Sequence, residues 1–551
     1  MRHYLNQFEL PAELLPQVAK REFLSSFIQW SWLVLVFSAL FQIVLFDTKA
    51  NIICVGCVII SWGIVTCVFL SRASLQKYPL STFLMLGFSA TQFYFPLVFT
   101  LIEGKPLIFN LDLPYEVFLH SFLALLVLTT SYLIYRVIAK INIINIRSIL
   151  QQSGIFSPPS KSQLWIMGLC GVLSMFYVYV FSRTGWEVTG SASDKFIQTF
   201  IPFSYAPYFA YCGKLYGDHT KPNRAYNIFI CVFTIVLFLV SMGRNSRAAF
   251  MLSFTAVGFS YGLGLLLGVY KIKILSWKNI VIVLVGVWLF IGPMSDLGTA
   301  MVIVREQRHS ISKQELIKQT FSAFLDKEAI QAYRESNRYQ ETAWDEAYLD
   351  NVFTARFANL KYNDQSLTLS KEVGDKNPKM YEYSIAYIWA SLPDPLLKSI
   401  GSEIDKNKIN ICSFGDYLFW IAGNVKETLS GFRTGHFAGT GMAAFGWWYL
   451  LILGIGIIPV FTLLDVLVTK EAPLFHWKSF SDNPTLHPTL RFSFCGLLAL
   501  TAIFQYLPCE SVVFTAAFLT RGWLQMVFTY FVIYHVSRAL SAILSLKRLP
   551  F

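Results

Sequence analysis

The chain has 551 residues, of which 55% are hydrophobic and only 14% are charged, whereas soluble globular domains carry about a quarter charged residues. This composition excludes a water-soluble globular protein. The apolar residues fall into runs of about 18 or more, each long enough to cross a hydrocarbon core of about 30 Å as a helix. The sequence therefore predicts an all-α, polytopic membrane protein.

The chain contains 45 Lys and Arg against 33 Asp and Glu, a formal charge of +12. Such an excess is typical of proteins with anionic partners such as nucleic acid, lipid head groups or phosphates. The basic residues stand at the ends of apolar runs rather than in blocks, which argues against nucleic acid and favours the lipid bilayer. The first 20 residues lack the apolar core of a signal peptide, so insertion is expected to start from the first span.

Apolar runs bounded by charge, proline or glycine predict about twelve transmembrane helices. They cover residues 25–46, 51–71, 80–102, 116–138, 163–182, 197–214, 226–243, 248–270, 279–299, 441–466, 490–508 and 522–543. The sixth is the weakest, because Pro202 and Pro207 interrupt it. Most of the nine cysteines fall within spans, but Cys412 and Cys509 lie outside them on one predicted side. A disulfide between these two remains open.

The distribution of Lys and Arg predicts that both termini are cytoplasmic. In that orientation the cytoplasmic segments hold 21 Lys and Arg and the short external loops hold 7, in line with the bias against translocating positive charge. The chain then divides into a cytoplasmic N-terminal arm (1–24), a membrane domain with spans one to nine (25–300), an external helical cap (301–440), and a second membrane domain with spans ten to twelve and a cytoplasmic tail (441–551).

The cap segment holds 35 of the chain's 78 charged residues, which indicates a folded, water-facing unit rather than a linker. Apolar residues recur at helical spacing over 316–325 and over 348–360, so an amphipathic helix is predicted in each. The polar segment 371–380 is predicted to form a turn region before a further helix at about 381–391.

Arginines at the predicted external surface are the first candidates for chemistry. Arg244 and Arg247 lie in the turn SMGRNSRAAF, on the side where short loops otherwise lack positive charge. A guanidinium group offers a planar fork that suits phosphate oxygens, so this pair predicts an anion site. Anchoring at the interface, or pairing with cap carboxylates, is the alternative. Arg305 follows span nine and is a further candidate. Arg356 shares the apolar face of a predicted cap helix, a position that a long side chain reaching past a hydrophobic surface to water explains equally well.

A second candidate group closes the cap in the segment LSGFRTGHFAGTGMAAFGWWYLL. Arg433 and His436 lie there among the glycines of 431–441, and glycines let a backbone approach a bulky ligand closely. An imidazole can accept a proton, or donate to an oxyanion, near neutral pH. His436 is therefore a candidate catalytic group, with a structural histidine bonded to a neighbouring carbonyl as the alternative.

Several familiar catalytic motifs are absent from the sequence. It contains no H-E-x-x-H or G-x-x-x-x-G-K-[ST] pattern and no C-x-x-C pair repeated at zinc-finger spacing. No cofactor and no metal are predicted, because external carboxylates such as Glu187, Asp296, Asp416 and Glu510 share no ligand spacing.

This arrangement resembles the bacterial oligosaccharide repeat unit polymerases (Wzy-type O-antigen polymerases), which are relatives of the O-antigen ligases. The resemblance rests on the many spans and on one large external loop before the last few spans. It also rests on the segments GRNSR, RFANLKYNDQSL and GHFAGTGMAAFGWWYLL. It covers most of the chain as architecture and about 50 residues as motif.

The resemblance implies a membrane-embedded glycosyltransferase of the GT-C type at the outer face of the bacterial cytoplasmic (inner) membrane. Its substrates would be undecaprenyl-pyrophosphate-linked oligosaccharides, polymerised into an O-antigen, capsule or exopolysaccharide. A flippase and a chain-length regulator are the expected partners. The implied catalytic residues are His436, Arg433 and Arg244, and the implied substrate-binding residues are Arg247, Arg305, Arg356 and Asp416. His436 would orient or deprotonate the acceptor hydroxyl, with Asp416 or Glu187 as a substitute.

Other functions stay open at this point. An O-antigen ligase shares the donor chemistry and differs in its acceptor. A transporter or flippase of the same lipid-linked substrate would more often show paired halves and charges inside its spans, whereas Arg, His and Gly gather here at one membrane boundary. A membrane-bound acyltransferase would need a buried catalytic histidine, and His120 and His535 stand alone on apolar helices.

Overall fold

A computed structural model describes residues 23–139, 146–178, 196–243, 247–271, 277, 281, 284–286, 288–289, 292–304, 313–338, 344–401, 404–424, 429, 431, 433–471, 489–507 and 509–546. Within these ranges the regular structure is helical apart from one antiparallel ribbon, in which β1 (Val468–Glu471) pairs with β2 (Thr489–Phe492).

Four helical segments match the first four predicted spans to within a few residues: Phe23–Leu45, Lys49–Phe69, Pro79–Ile102 and Pro114–Ile138. The helices of this region are α1 (Phe23–Leu45), α2 (Lys49–Ile64, continued as a π-helix over Val65–Phe69), α3 (Arg72–Lys77), α4 (Pro79–Ser89), a π-helix over Ala90–Tyr94, α5 (Phe95–Ile102), α6 (Pro114–Ile138), α7 (Ile146–Gln152) and α8 (Lys161–Phe176). The segment from Pro79 to Ile102 forms one continuous apolar span, with its π-helical turn near the middle.

The next segments depart from simple long helices. They are a 3₁₀ helix over Ile201–Leu215, α9 (Arg224–Gly243), α10 (Arg247–Leu266) and α11 (Pro293–Ile303). The 3₁₀ helix occupies the predicted sixth span and contains Pro207, whose ring is incompatible with a regular α-helix interior. It packs closely on α8, because a Cβ atom at Gly171 would lie 2.1 Å from the Ser204 nitrogen. Seven of the 21 residues of the predicted ninth span lie outside the described residues.

The cap contains α12 (Lys313–Leu325), α13 (Lys327–Arg338), a 3₁₀ turn over Thr354–Arg356, α14 (Lys361–Val373), α15 (Pro378–Ala390), α16 (Asp394–Ser399), α17 (Lys406–Asn410) and α18 (Phe414–Ile421). The helices predicted over 316–325 and 381–391 are confirmed, as is a turn between α14 and α15. The helix predicted over 348–360 is wrong, since this segment is irregular apart from the 3₁₀ turn.

The irregular path of residues 348–360 follows from its contacts with the membrane domain. The side-chain oxygen of Asn351 accepts the N–H groups of Phe353 (2.9 Å) and Thr354 (3.3 Å), a local turn that competes with a helix. The Tyr348 hydroxyl donates to the Leu107 carbonyl at 2.7 Å. Apolar residues at helical spacing are therefore used to cover the loop after α5, not to form one face of a helix.

The C-terminal region contains α19 (Phe437–Phe445), α20 (Trp448–Asp465), α21 (Phe494–Leu498), α22 (Leu500–Phe504), α23 (Phe514–Ala517), a π-helix over Phe518–Gly522 and α24 (Trp523–Leu546). The predicted tenth span is divided by Gly446, which has a φ of +57°, a conformation that glycine adopts without strain. The predicted eleventh span is broken into the short helices α21 and α22.

Backbone hydrogen bonds hold the broken segment at both of its ends. At one end the N–H of Ser493 donates to the Leu467 carbonyl (2.8 Å), and at the other the N–H of Phe437 donates to the Cys509 carbonyl (2.8 Å). A Cβ atom at Gly87 would lie 2.0 Å from the Phe504 carbonyl oxygen, so α22 packs backbone to backbone against α4. This close packing gives the interrupted segment its place in the helix bundle.

Seven helices within the described ranges are long and apolar enough to cross a membrane. They are Phe23–Leu45, Lys49–Phe69, Pro79–Ile102, Pro114–Ile138, Arg224–Ser241, Trp448–Asp465 and Phe514–Leu544. The protein is therefore an all-α, polytopic, membrane-embedded protein.

A buried ion pair fastens the cap to the membrane domain. The Lys361 amine, 2% exposed, lies 2.9 Å from both Asp112 and Asp364. The Asp364 carboxylate is completely buried and also accepts the backbone N–H groups of Asp112 (3.0 Å) and Leu113 (2.7 Å). Asp364 thus joins α14 to the segment that leads into α6.

Candidate functional site

A cavity of about 690 Å³ lies where the cap meets the membrane helices. Its floor includes Thr91 and Gln92 of the π-helical turn, near the middle of the span Pro79–Ile102. Most of its walls come from cap residues 333–362, together with Thr434 and Gln505. The cavity therefore extends from the cap to about half the depth of a membrane span.

The floor of this cavity is polar. The Gln92 side-chain oxygen accepts a hydrogen bond from the Ser121 hydroxyl (3.2 Å), and that hydroxyl in turn accepts one from the Asn363 amide (3.1 Å). All three residues are buried. Polar side chains in the middle of a span are costly, and π-helical turns are frequent at functional sites. This combination marks the floor as a candidate binding surface.

Aromatic side chains make up much of the cavity wall: Phe109, Tyr333, Trp344, Tyr348, Phe357 and Tyr362. The amides of Gln92, Asn359 and Gln505 also line it. Flat aromatic surfaces can cover the C–H face of a sugar ring, and amide and carboxylate groups can bond its hydroxyls. A pocket with aromatic walls and a few oriented polar groups is the ordinary form of a small-molecule site.

Three basic residues line the cavity, and they differ in how they are engaged. Lys105 is buried and pairs with Glu103 (3.0 Å) and Asp350 (2.8 Å), so it holds the wall together. Arg334 bonds Asp296 at 2.9 Å, and its buried Nε has no hydrogen-bond partner in the described part of the chain. Arg356 is exposed. Among the described residues, Arg334 and Arg356 are thus the candidate anion-binding cations of this cavity.

Among the predicted site residues, Arg356 is the one whose described side chain lines the cavity. The 3₁₀ turn over Thr354–Arg356 positions it, and its backbone carbonyl accepts the Gln505 amide at 3.3 Å. That bond ties the turn to the end of the broken segment after α22.

Arg433 and Asp416 contact each other. The Asp416 carboxylate, completely buried, accepts both the backbone N–H (3.0 Å) and the Nη1 (3.1 Å) of Arg433. The guanidinium group also lies over the Phe419 ring, 4.3 Å from its centroid. Asp416 further forms a capping box with Ser413 at the start of α18. This pair holds the loop before α19 on the cap, and the loop reaches the cavity through Thr434.

His436 is the N-cap of α19. Its Nδ1 accepts the backbone N–H of Ala438 at 3.3 Å, and the backbone N–H of His436 donates to the Ser366 hydroxyl at 2.9 Å. Burial, helped by nearby His120, lowers the pKa of His436 to about 3, so the ring is neutral. Because Nδ1 accepts, we assign the ring proton to Nε2, which is buried without a partner in the described structure.

The glycines around His436 contact protein atoms. A Cβ atom at Gly439 would lie 2.1 Å from backbone atoms of Ser366, and one at Gly441 would lie 2.7 Å from the Tyr449 Cβ. The sequence interpretation that these glycines make room for a ligand is therefore corrected at both positions. They let α19 approach α14 and α20 closely.

The remaining predicted residues are described in part or not at all. Arg247 is the first residue of α10, and only its backbone is described. Arg244, Arg305 and the alternative carboxylate Glu187 lie outside the described residues. Cys412 and Cys509 both carry free thiols.

Glu510 is a further carboxyl group near this loop, and it is partly buried. Its Oε2 accepts the Phe414 N–H at 3.1 Å, and its carbonyl accepts the Thr440 hydroxyl at 2.7 Å. Burial raises the pKa of Glu510 to about 7, against the effect of the Phe414 hydrogen bond. It links α18, α19 and the segment before α23.

Sequence reasoning did not single out Gln92, Arg334, Tyr333 or Trp344, all of which line the cavity. A polar residue inside an apolar span could have indicated Gln92. Arg334 lies on the strongly polar helix α13 and carried no comparable signal.

No protein-family profile matches the sequence, and comparisons with curated proteins and with solved structures find no match. In the described ranges, no group of three or more His, Cys, Asp or Glu side chains could hold a metal ion.

Proposed function

We propose that this protein is a glycosyltransferase that polymerises lipid-pyrophosphate-linked oligosaccharide repeat units into a surface polysaccharide. The cavity carries the proposal, because it joins an aromatic and amide-rich wall to exposed Arg356 and reaches halfway down a membrane span. In a lipid-linked substrate, the sugar chain would contact the aromatic and amide-rich wall, the pyrophosphate would contact Arg356, and the lipid would lie within the membrane span. A flippase that supplies the substrate and a chain-length regulator are the partners of this proposal.

The proposal includes a topology of twelve spans with both termini in the cytoplasm and a GT-C-like arrangement. The five spans beyond the seven long apolar helices are the segments at 163–182, 197–214, 248–270, 279–299 and 490–508. In this topology the cap and the cavity mouth face outward from the cytoplasmic (inner) membrane. That side is where lipid-linked repeat units carry their sugars for polymerisation.

The reaction needs no nucleotide, because its energy is stored in the donor. The bond between the anomeric carbon and the pyrophosphate oxygen breaks, and a glycosidic bond forms to a hydroxyl of the acceptor repeat. Guanidinium groups stabilise the departing pyrophosphate through charge-assisted hydrogen bonds. We assign this role to Arg356 with Arg244, Arg247, Arg305 and Arg433. Paired with buried Asp416, Arg433 contributes chiefly by holding its loop.

The geometry of His436 narrows its proposed role. A neutral ring whose Nδ1 already accepts the Ala438 N–H has no free lone pair, so it cannot act as a base. Because His436 is buried and does not line the cavity, its proposed role is to position the start of α19, and the proton of the acceptor hydroxyl passes to the departing pyrophosphate.

The proposal is tested by changing Arg356 in a strain that depends on this protein for its surface polysaccharide. Arg356→Ala should abolish the long-chain glycan at normal protein level, and Arg356→Lys should restore it only in part, because a point charge cannot reproduce the bidentate fork. Lys398→Ala is the matched control, since Lys398 is exposed on the cap and away from the cavity. A normal glycan ladder from Arg356→Ala would contradict the proposal.

The same gels separate a polymerase from a ligase. Loss of a polymerase leaves single capped repeat units, whereas loss of a ligase leaves polymer on its lipid carrier. Polymer accumulating on the carrier in the Arg356→Ala strain would move the assignment to a ligase.

A further inference from the structure

A second cavity, of about 300 Å³, lies between the end of α15 and the first turns of the last membrane helix. We call it the lateral groove. Tyr387 and Ser391 line it from the cap, and Phe514, Phe518, Arg521 and Gln525 line it from the membrane helix. It shares no lining residue with the larger cavity.

Arg521 is the charged residue of the lateral groove. It lies in the π-helical turn Phe518–Gly522, and its Nε donates to the Gln525 side-chain oxygen at 3.2 Å. Its guanidinium group is exposed and pairs with no carboxylate of the described residues. No acidic side chain among the described residues lines the groove. The two Nη groups are therefore available to an anion from outside the chain.

The helix surface below Arg521 is apolar and exposed. Leu524 and Phe528 follow Arg521 at the i+3 and i+7 positions and are 56% and 62% exposed, so all three lie on one face of the helix. On the cap side of the groove, Trp389 is 45% exposed, as is typical of aromatic residues at a membrane surface. Arg521 thus lies at one end of an exposed apolar stripe of the helix.

We propose that the lateral groove binds one anionic glycerophospholipid. The phosphate bonds the Nη groups of Arg521, the head-group hydroxyls contact Gln525 and Ser391, and the acyl chains follow Leu524 and Phe528. An anionic lipid fits because the groove offers one cation and no carboxylate to neutralise a cationic head group. This site is independent of the function proposed for the larger cavity.

The experiment measures lipid retention by the delipidated full-length protein in a non-ionic detergent, using native mass spectrometry and added dioleoyl phosphatidylglycerol. The protein should retain one copy tightly, and Arg521→Gln should weaken that binding about tenfold, as expected for loss of a hydrogen bond to a charged group. Arg538→Gln is the matched control, because Arg538 is an exposed arginine of the same helix outside the groove, and its binding should be unchanged.

A second variant keeps the Arg521 charge and fills the space of the lateral groove. Ala517→Phe places a ring in the groove beside Arg521 and should lower retention by a similar factor, provided that the thermal unfolding midpoint matches that of the unaltered protein. Equal retention by Arg521→Gln would overturn the proposal. Phosphatidylcholine held as tightly as phosphatidylglycerol, or displacement of phosphatidylglycerol by an isoprenoid phosphate at equal concentration, would overturn its choice of occupant.

Discussion

Replacing Asp364 with alanine tests whether the buried ion pair fastens the cap to the membrane domain. The change leaves the Lys361 amine, 2% exposed, with Asp112 as its one remaining carboxylate partner among the described residues. It also removes the acceptor for the N–H groups of Asp112 and Leu113. Breaking a buried pair from one side costs about 3 to 5 kcal/mol, and each orphaned N–H adds to that cost. We expect a loss of at least about 3 to 5 kcal/mol in the free energy of unfolding.

The assay is denaturant unfolding of the purified protein in detergent, followed by tryptophan fluorescence. The matched control is Glu116→Ala, because Glu116 pairs with Lys371 at 2.6 Å and also joins α14 to α6, but both side chains are solvent-accessible (34% and 55%). Exposed pairs contribute about 0 to 1 kcal/mol. Adding Lys361→Met to Asp364→Ala should recover part of the loss, since the unpaired charge is then gone. Equal losses from Asp364→Ala and Glu116→Ala would refute the reasoning.

Two further predictions concern packing and pH. Gly439→Ala should destabilise the protein by about 1 to 3 kcal/mol or more through overpacking, because its Cβ would lie 2.1 Å from the backbone of Ser366. Gly56→Ala, where nothing lies within 4 Å, should be neutral or stabilising, and equal losses at the two positions in thermal unfolding would contradict this. The folded-state pKa of Glu510 is about 7 against an ordinary value of 4.5. The contribution of Glu510 to the stability of the folded protein is therefore complete below pH 4.5 and is lost as the pH rises through 7. In the Glu510→Gln variant the thermal unfolding midpoint should depend less on pH over that range. An unchanged slope of midpoint against pH would contradict the raised pKa of Glu510.

The membrane helices could be predicted from the sequence because their signal is local. A run of apolar residues long enough to cross a bilayer identifies a span without knowledge of its neighbours, as at Phe23–Leu45 and Pro114–Ile138. The prediction weakened where tertiary packing sets the backbone. Gly87 lets the broken segment at Phe504 pack directly on α4, and nothing in the apolar run 490–508 indicates that break.

In the cap, too, locally determined helices were predicted and segments shaped by tertiary contacts were not. Apolar residues at helical spacing predicted α12 correctly, but the same spacing over 348–360 belongs to a segment shaped by Asn351 and by contacts with residues 103–107. Helical periodicity records which residues are buried, and an irregular chain laid on another domain can bury the same set. The Asn351 side chain, which favours a local turn, was the available sequence signal against a helix.

The polar residues of the candidate site fall into two groups, those that bond each other and those that are exposed in the cavity. Asp416 follows Ser413 by three residues, which is the spacing of a capping box, and the two residues form such a box in the structure. Arg433 then neutralises the same carboxylate. Removing Arg433 would leave Asp416 buried without its cation, so a loss of glycan from Arg433→Ala would not separate folding from chemistry. Arg356 is exposed in the cavity, and its replacement leaves the Asp416 pair intact. Glycan synthesis by Arg356 variants at normal protein level therefore reports on the cavity itself.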